Sequence, residues 1–382
     1  MMMIPMESKT ATLLVQLQDW LLRRVPPSGI RRVLPVSAAL GSDIGSVRKE
    51  NQDRAAIARG RDGLGQQYIV AAIADGIGGL KHGAQCAALA VSAVIDTIQR
   101  KSTSGLPPVV WADEAVKSAH EKVRETYKGA GGATLVVLLI TENDGFYWAS
   151  IGDSRFYISA RNSLLQISTD DTIAGQLGRR AGTDGEQGKL IQYIGIDGEI
   201  EFNVSKLTCP FDSTAFLTTD GIHFIDSSSE ILSILIQNSP DLGSTTRRLT
   251  DLARWAGGPD NATLVALSLD FSDYERGPMY PCLDVWDAFG EIRFSLASEH
   301  QHSIHQSDRI EKKDSRATAT VKTEEAQDLN AAPSPPTPKG DDRKPLKLKS
   351  KAGKSKAKKR NPTAERGTTV PQVQLEFSNK KD

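Results

Sequence analysis

Five aspartates of this chain stand in one kind of context. Asp75 ends the apolar run Tyr68-Ile69-Val70-Ala71-Ala72-Ile73-Ala74 and opens Asp75-Gly76-Ile77-Gly78-Gly79. Asp53 closes Arg48-Lys49-Glu50-Asn51-Gln52-Asp53, and Asp153 follows Phe146-Tyr147-Trp148-Ala149 in Ile151-Gly152-Asp153-Ser154-Arg155. Asp220 follows Ala215-Phe216-Leu217 in Thr218-Thr219-Asp220-Gly221, and Asp260 lies in Gly257-Gly258-Pro259-Asp260-Asn261, just before Ala262-Thr263-Leu264-Val265. A single Asp-Gly pair is ordinary turn chemistry. Five carboxylates where strands begin or end are another matter, because strand ends converge at the rim of a sheet. Carboxylates crowded together repel and cannot all ionise unaided. Hard divalent cations such as Mg²⁺ and Mn²⁺ remove that conflict, since they take oxygen ligands and keep several waters. No His/Cys cluster for zinc accompanies these positions.

The elements that must carry these groups are legible as runs. Strands are expected at Val33–Ala39, Ala55–Ala58, Tyr68–Ala74, Ala133–Ile140, Gly145–Ser150, Arg155–Ala160, Ser213–Leu217 and Ala262–Leu269, many rich in Val, Ile, Phe or Tyr. Helices are expected at Gly83–Arg100, Trp111–Tyr127, Glu230–Asn238 and Ser244–Trp255; in the first, Ala84, Ala87, Ala88, Val91 and Ile95 recur at helical spacing. Two long helices follow three strands, and a meander with short links follows them. That is not the steady βαβα alternation of a doubly wound parallel sheet. It implies antiparallel sheets packed on each other, with helices outside.

The 382 residues hold 47 basic and 47 acidic side chains, a balance that hides an asymmetry. Residues 341–382 carry thirteen basic and five acidic residues, which leaves 34 basic against 42 acidic before them. Three scattered cysteines without a CxxC exclude a disulfide framework and suit a reducing cytoplasm. No apolar run reaches the length of a membrane span. Residues 8–25 read as an amphipathic helix with Leu13, Leu17, Trp20, Leu21 and Val25 near one face, not as a secretory signal, because Gln16, Gln18 and Asp19 interrupt the apolar run. After about residue 300 the composition turns to a proline-rich linker, Ala331–Pro338, and then to ten basic residues with no acidic one between Arg343 and Arg360. Such a segment is expected to be disordered. The expected organisation is an N-terminal helix and extension at 1–34, a catalytic domain at 35–275, a short extension or docking motif at 276–300 and a disordered tail at 301–382.

Taken in order, RKENQD, ADGIGG, GGATLV, GDSR, TTDG and GGPDNAT resemble the motifs of the metal-dependent serine/threonine protein phosphatases of the type 2C kind, and in its details a bacterial member. The resemblance runs from about Gly41 to Leu269, about 60% of the chain. It implies an α+β fold, a four-layer α/β/β/α sandwich of two antiparallel sheets flanked by helices, with a dinuclear Mn²⁺ or Mg²⁺ site at one rim. It also implies roles. Asp75 matches the aspartate that bridges two metals, and Gly76 the glycine whose carbonyl joins them. Asp53 matches one acting through metal-bound water. Asp220 and Asp260 match the late ligands, and Asp153, with Asp220, the holder of a third, weaker metal. Arg48 matches the arginine that grips the substrate phosphate. Two departures stand out: Gln52 replaces a common glutamate, and Ile77 stands where eukaryotic relatives carry a histidine and bacterial ones commonly a methionine.

The implied chemistry is in-line attack on phosphorus by a water activated between two cations about 3.5–4 Å apart, with no phospho-enzyme and no nucleophilic cysteine. The expected activity is dephosphorylation of phosphoserine and phosphothreonine in proteins, opposing a serine/threonine kinase, by a cytoplasmic monomer. The competing reading is a catalytically weak phosphoprotein-binding module that docks through its basic tail; retention of every expected aspartate counts against it. The tail itself suits an acidic partner, nucleic acid or an anionic membrane surface, though no aromatics interleave its lysines to stack bases. The glycine-rich segment Asp170–Tyr193 is expected to form a flap beside the site. His82 reads as a helix-start or surface residue, and His300, His302 and His305 as a polar stretch rather than a metal site.

Overall fold

The computed structural model describes residues 12–77, 81–160, 163–177, 189–210, 212–225 and 229–296. The elements in chain order are α1 (Leu13–Leu21), β1 (Ser28–Val33), β2 (Ala38–Asp43), β3 (Arg54–Arg61), β4 (Gln67–Ala74), α2 (Gly83–Lys101), α3 (Pro108–Tyr127), β5 (Leu135–Thr141), β6 (Gly145–Ile151), β7 (Arg155–Ala160), β8 (Ser163–Gln166), α4 (Ile173–Gln176), β9 (Ser205–Leu207), β10 (Thr214–Thr218), α5 (Asp220–His223), α6 (Glu230–Gln237), α7 (Leu242–Trp255), β11 (Ala262–Ser268), β12 (Cys282–Trp286) and β13 (Glu291–Ser295). They form two antiparallel sheets. One runs β1-β2-β11-β10-β7-β8, the other β13-β12-β3-β4-β5-β6-β9.

Period-two alternation divides the strand residues between three apolar layers. Ala56, Ala58, Val70, Ala72, Val137 and Leu139 face α1, α2 and α3. Their neighbours Ile57, Ile69, Ala71, Ile73, Val136 and Leu138 face the other sheet, meeting Leu40, Phe156, Leu217, Val265 and Leu267. Beyond that sheet, Tyr157, Phe216, Leu264 and Ala266 meet Leu249 and Ala253 of α7. Three cores between four layers make the α/β/β/α sandwich that the motifs imply. They also explain why β4 is buried along its whole length: both of its faces are covered.

Two expectations need correction. The run Val33–Ala39 is not one strand. Pro35 lacks an amide donor and sits in a short 3₁₀ turn over Leu34–Val36, and Ser37 takes a left-handed conformation, so the chain folds back and β1 pairs with β2 as a hairpin. The boundary at 275 is also too early. β12 pairs with β3 from Asp284↔Arg59 to Trp286↔Ile57, and β13 pairs with β12, so this stretch is the edge of a sheet. Leu283, Val285 and Phe294 add to the core beneath α1, which itself buries Leu17 and Leu21 there. The tail from 301, with its lysine run, lies outside the described residues, as do His300, His302 and His305. Among the described residues no helix is long and apolar enough to cross a membrane.

Candidate metal and phosphate site

Strand register decides where the aspartates go. Arg54 pairs with Ala74, so Asp53 and Asp75 lie at one end of β3 and β4. Ile73 pairs with Val136 and Leu135 with Ile151, which brings the turn carrying Asp153 to that end. In the other sheet Thr218 pairs with both Arg155 and Leu264, which places Asp220 just past β10 and Asp260 just before β11. A hydrogen bond joins the two rims: the Thr219 hydroxyl donates to Asp53 Oδ2 at 2.9 Å and accepts from the Thr263 amide at 3.0 Å.

Backbone and hydroxyl contacts hold each turn. The Asp75 amide donates to Thr134 Oγ1 at 2.9 Å, the Thr134 amide donates back to the Asp75 carbonyl at 2.8 Å, and Thr134 Oγ1 lies 2.6 Å from Ser154 Oγ. The Ile77 amide donates to the Gly132 carbonyl at 3.0 Å. Position 76 has to be glycine, because a Cβ there would lie 2.4 Å from the Gly83 carbonyl at the start of α2. The same holds at Gly221, where a Cβ would meet the Asn261 carbonyl at 1.9 Å. Asn261 is the pin of the Arg48 loop: its Oδ1 accepts from the Gln52 amide at 2.8 Å, and its Nδ2 donates to the carbonyls of Ile44 at 2.9 Å and Glu50 at 3.0 Å. Asp171 anchors the Asp153 turn, accepting the Gly152 amide on Oδ2 at 2.9 Å.

The electrostatics are those of mutual repulsion. Asp53 is 2% exposed. Burial pushes its carboxyl well up; hydrogen bonds from Thr263 and Thr219 draw it back, and Asp220 and Asp260 push it further. Burial raises Asp75 as well, with Asp53, Asp220, Asp153 and Asp260 all adding. Burial and then Asp220 carry Asp153 up to about 7. Burial, then Asp260, raise Asp220, while a carboxyl–carboxyl hydrogen bond with Asp75 opposes them. Asp75, Asp153 and Asp220 keep part of their surface open even though protein crowds them on most sides. Asp53 Oδ1 and Asp220 Oδ1 are buried with no hydrogen-bond partner.

These observations test the fit of divalent cations. The donors are oxygen only, two of them are orphaned, and burial together with neighbouring carboxylates raises the pKa values of Asp53, Asp75, Asp153 and Asp220, which is the conflict a cation relieves. Among the described residues, no three His, Cys, Asp or Glu side chains converge tightly on one ion position. The donor set therefore fits Mg²⁺ or Mn²⁺ as ligands that an ion draws together, not as a preformed cage.

Arg48 stands at the mouth of this group, 2.6 Å from Asp260 Oδ2 and 40% exposed. The Asp260 hydrogen bond raises its pKa, outweighing burial, and Asp220 and Asp75 add to the effect. The expected phosphate-gripping residue is thus held by an expected ligand. His82 occupies the N-cap position of α2 in a left-handed conformation, makes no cap hydrogen bond and packs its ring 5.4 Å from Tyr127. The described base of the expected flap is tied to the Asp153 turn, through Asp171 and through the Ile191 amide bonded to the Asp171 carbonyl at 2.8 Å; residues 178–188 lie outside the described residues. Sequence reasoning missed Thr219, Asn261 and Thr134 as functional groups. Each lies inside a motif that carries an aspartate or its neighbour, and only the cross-chain hydrogen bonds reveal its role.

Residues 46–249 match the family described as protein phosphatase 2C. The chain belongs to that family, an enzyme class of protein serine/threonine phosphatases. Among its relatives, protein phosphatase PhpP of Streptococcus pneumoniae is 29% identical over 257 residues, covering 62% of this chain and 99% of that protein. Serine/threonine protein phosphatase PstP of Mycobacterium tuberculosis is 28% identical over 263 residues, covering 66% of this chain and 48% of that protein. The crystal structure of the PPM Ser-Thr phosphatase MsPP from Mycobacterium smegmatis in complex with cacodylate matches with a TM-score of 0.52 at 26% identity, over 62% of this chain and all of that one. The fold and family expected from the ordered motifs are therefore those found.

Proposed function

We propose that this protein removes phosphate from phosphoserine and phosphothreonine in protein substrates, with Asp53, Asp75, the Gly76 carbonyl, Asp220 and Asp260 holding two Mn²⁺ or Mg²⁺ ions. Asp153, with Asp220, is the place for a third. The observation that carries the reading is the pair of orphaned carboxylate oxygens on Asp53 and Asp220, set among carboxylates that repel. Such cations supply activation of a water and charge neutralisation on the phosphoryl oxygens.

The chain's own residues do the rest. Arg48 grips two phosphoryl oxygens through its planar guanidinium, a contact that requires it to leave or share Asp260. Thr219 keeps the Asp53 carboxylate turned toward the site, and Asn261 holds the loop that presents Arg48. A covalent cysteine route has no support. Cys86 is buried and its thiol is pushed up to about 12, and burial also raises Cys209 and Cys282, so none is a ready thiolate. Opposition to a serine/threonine kinase follows from the substrate class.

The test is phosphate release from phosphothreonine, phosphoserine and phosphotyrosine peptides by the purified chain in Mn²⁺, Mg²⁺ or EDTA. Release from the first two that needs added metal is the expected result. Folded protein that releases none with either metal refutes the reading and favours a phosphoprotein-binding module.

A further inference from the structure

Arg54 follows Asp53 directly, yet its side chain turns away from the carboxylates. Nη1 donates to the carbonyls of Asn51 at 2.8 Å and Asp53 at 2.7 Å, and Nε donates to the carbonyl of Leu21 at 2.8 Å. Leu21 is the last residue of α1, where carbonyls have no intrahelical donor. A second arginine serves the same helix end. Arg23 Nη1 donates to the Trp20 carbonyl at 2.7 Å, and its guanidinium lies over the Trp20 ring at 4.0 Å. That guanidinium also forks onto Asp287 at 2.7 and 2.8 Å, and Asp287 Oδ1 accepts the amides of Phe289 and Gly290 in the β12–β13 turn. A continuous set of bonds therefore runs from that turn, through the end of α1, to the backbone that carries Asp53.

Three further observations give this link its meaning. α1 is firmly seated, since Leu17 and Leu21 are buried with residues of α2. The Asn51–Asp53 turn is not tightly packed from behind: a cavity of about 320 Å³ lies along it, with Leu21, Arg24, Lys49, Asn51 and Arg54 in its wall. Hydrogen bonds hold the turn there, from Arg54 to the Asn51 and Asp53 carbonyls and from the Gln52 amide to Asn261. Finally, α1 lies outside the stretch 46–249 that matches the family, whereas Asp53 lies within it.

We propose that Arg54 is a positioning residue: it locks the Asn51–Asp53 turn to the C-terminal end of α1, so that docking of the N-terminal helix sets the placement of the Asp53 carboxylate. The inference rests on the reading of Asp53 as a group that serves the cations. Only a guanidinium spans these acceptors, because its donors point in fixed, divergent directions, while an ammonium acts from a single point.

The test uses the full chain as wild type, Arg54→Met, Arg54→Gln and, as a control for instability alone, Leu249→Ala in the opposite helical layer. Mn²⁺ is titrated calorimetrically into each, Tm is recorded without metal, and kcat and KM are measured on a phosphothreonine peptide. Both Arg54 variants should bind Mn²⁺ about 10–100-fold more weakly, as loss of a group that orients a ligand does, with kcat reduced and KM little changed. Added methylguanidine should restore part of both losses, while Leu249→Ala lowers Tm and leaves Mn²⁺ affinity alone. Wild-type Mn²⁺ affinity in either folded Arg54 variant, whatever its Tm, overturns the proposal. If Arg54→Met does not fold, Arg54→Gln decides in the same way. A wild-type chain that binds Mn²⁺ without releasing phosphate refutes the proposed function alone, and the calorimetric comparison still decides the role of Arg54. A wild-type chain that binds no Mn²⁺ overturns both.

Discussion

The molecule treats its buried and half-buried aspartates in two ways. At the rim between the sheets, Asp53, Asp75, Asp153 and Asp220 are crowded together, among the described residues with no ion pair to a basic side chain, and Arg48 pairs with Asp260. Elsewhere each buried aspartate among the described residues has its arginine. Asp284 sits between Arg59 and Arg293, Asp287 is forked by Arg23, and Asp43 is held by Arg254. Asp284 shows the contrast most clearly. Burial pushes its carboxyl up, but the Arg293 and Arg59 guanidiniums outweigh burial and hold it below the usual carboxylate range. The chain pairs Asp43, Asp284 and Asp287 but not these rim carboxylates, and the proposed cations would supply the balancing charge there. Strongly perturbed groups gathered at one place mark function; paired ones mark architecture.

Substitution breaks the comparison in opposite directions. Asp75→Asn and Asp220→Asn should reduce phosphate release to background while the circular dichroism of the folded chain is kept; unfolding of both would make these carboxylates architectural. Asp284→Asn should do the reverse, removing one partner of a buried pair. It should lower stability by about 3–5 kcal/mol in urea unfolding while the folded fraction turns over normally.

Arg48→Ala should raise KM for a phosphopeptide roughly tenfold to a hundredfold, the scale of a lost hydrogen bond to a charged group, with a smaller effect on kcat. Equal KM values for the variant and wild type would assign the phosphate grip to another residue.

The two sets should also give stability slopes of opposite sign with pH. The rim carboxyls have folded pKa values above the unfolded one, so the folded chain holds protons that the unfolded chain releases. In EDTA their contribution is neutral below about 3.8 and becomes increasingly unfavourable as the pH rises, through about 7 for Asp153. Asp284 is depressed, so its stabilisation is present above about 3.8 and lost as the pH falls further. Thermal melts in EDTA should therefore fall between pH 4 and 7, less steeply in Asp75→Asn, and should recover with Mn²⁺. A flat profile over that range would contradict the repulsion at the rim. The smallest effect is expected from the tail: removing residues 301–382 should leave hydrolysis of a small phosphoester within about twofold of wild type, and a large loss would make the tail part of the catalytic unit.

The site was legible in the sequence because its ligand candidates obey local rules. Each aspartate is adjacent to an apolar run long enough to read as a strand, and Gly76 and Gly221 mark turns where backbone approaches backbone. The supporting groups obey no such rule. Thr219 reaches Asp53 across 166 positions and Asn261 reaches Ile44 across 217, contacts that no spacing announces. The hairpin β12–β13 lies in the stretch expected as a short extension or docking motif for the same reason, since its partner β3 lies more than two hundred residues earlier. The break in Val33–Ala39 did have a signal in Pro35, which outweighed the apolar pattern around it. Arg54 gave none: one arginine beside an aspartate reads as a surface ion pair until its three carbonyl acceptors are seen.

The most direct test of the central claim, that the unpaired rim carboxylates exist to hold divalent cations, is calorimetric titration of Mn²⁺ into the purified chain beside Asp75→Asn. The account expects at least two Mn²⁺ per wild-type chain and their loss in the variant, with both proteins folded. Folded wild-type protein that takes up no Mn²⁺, or a variant that binds as wild type does, would contradict it.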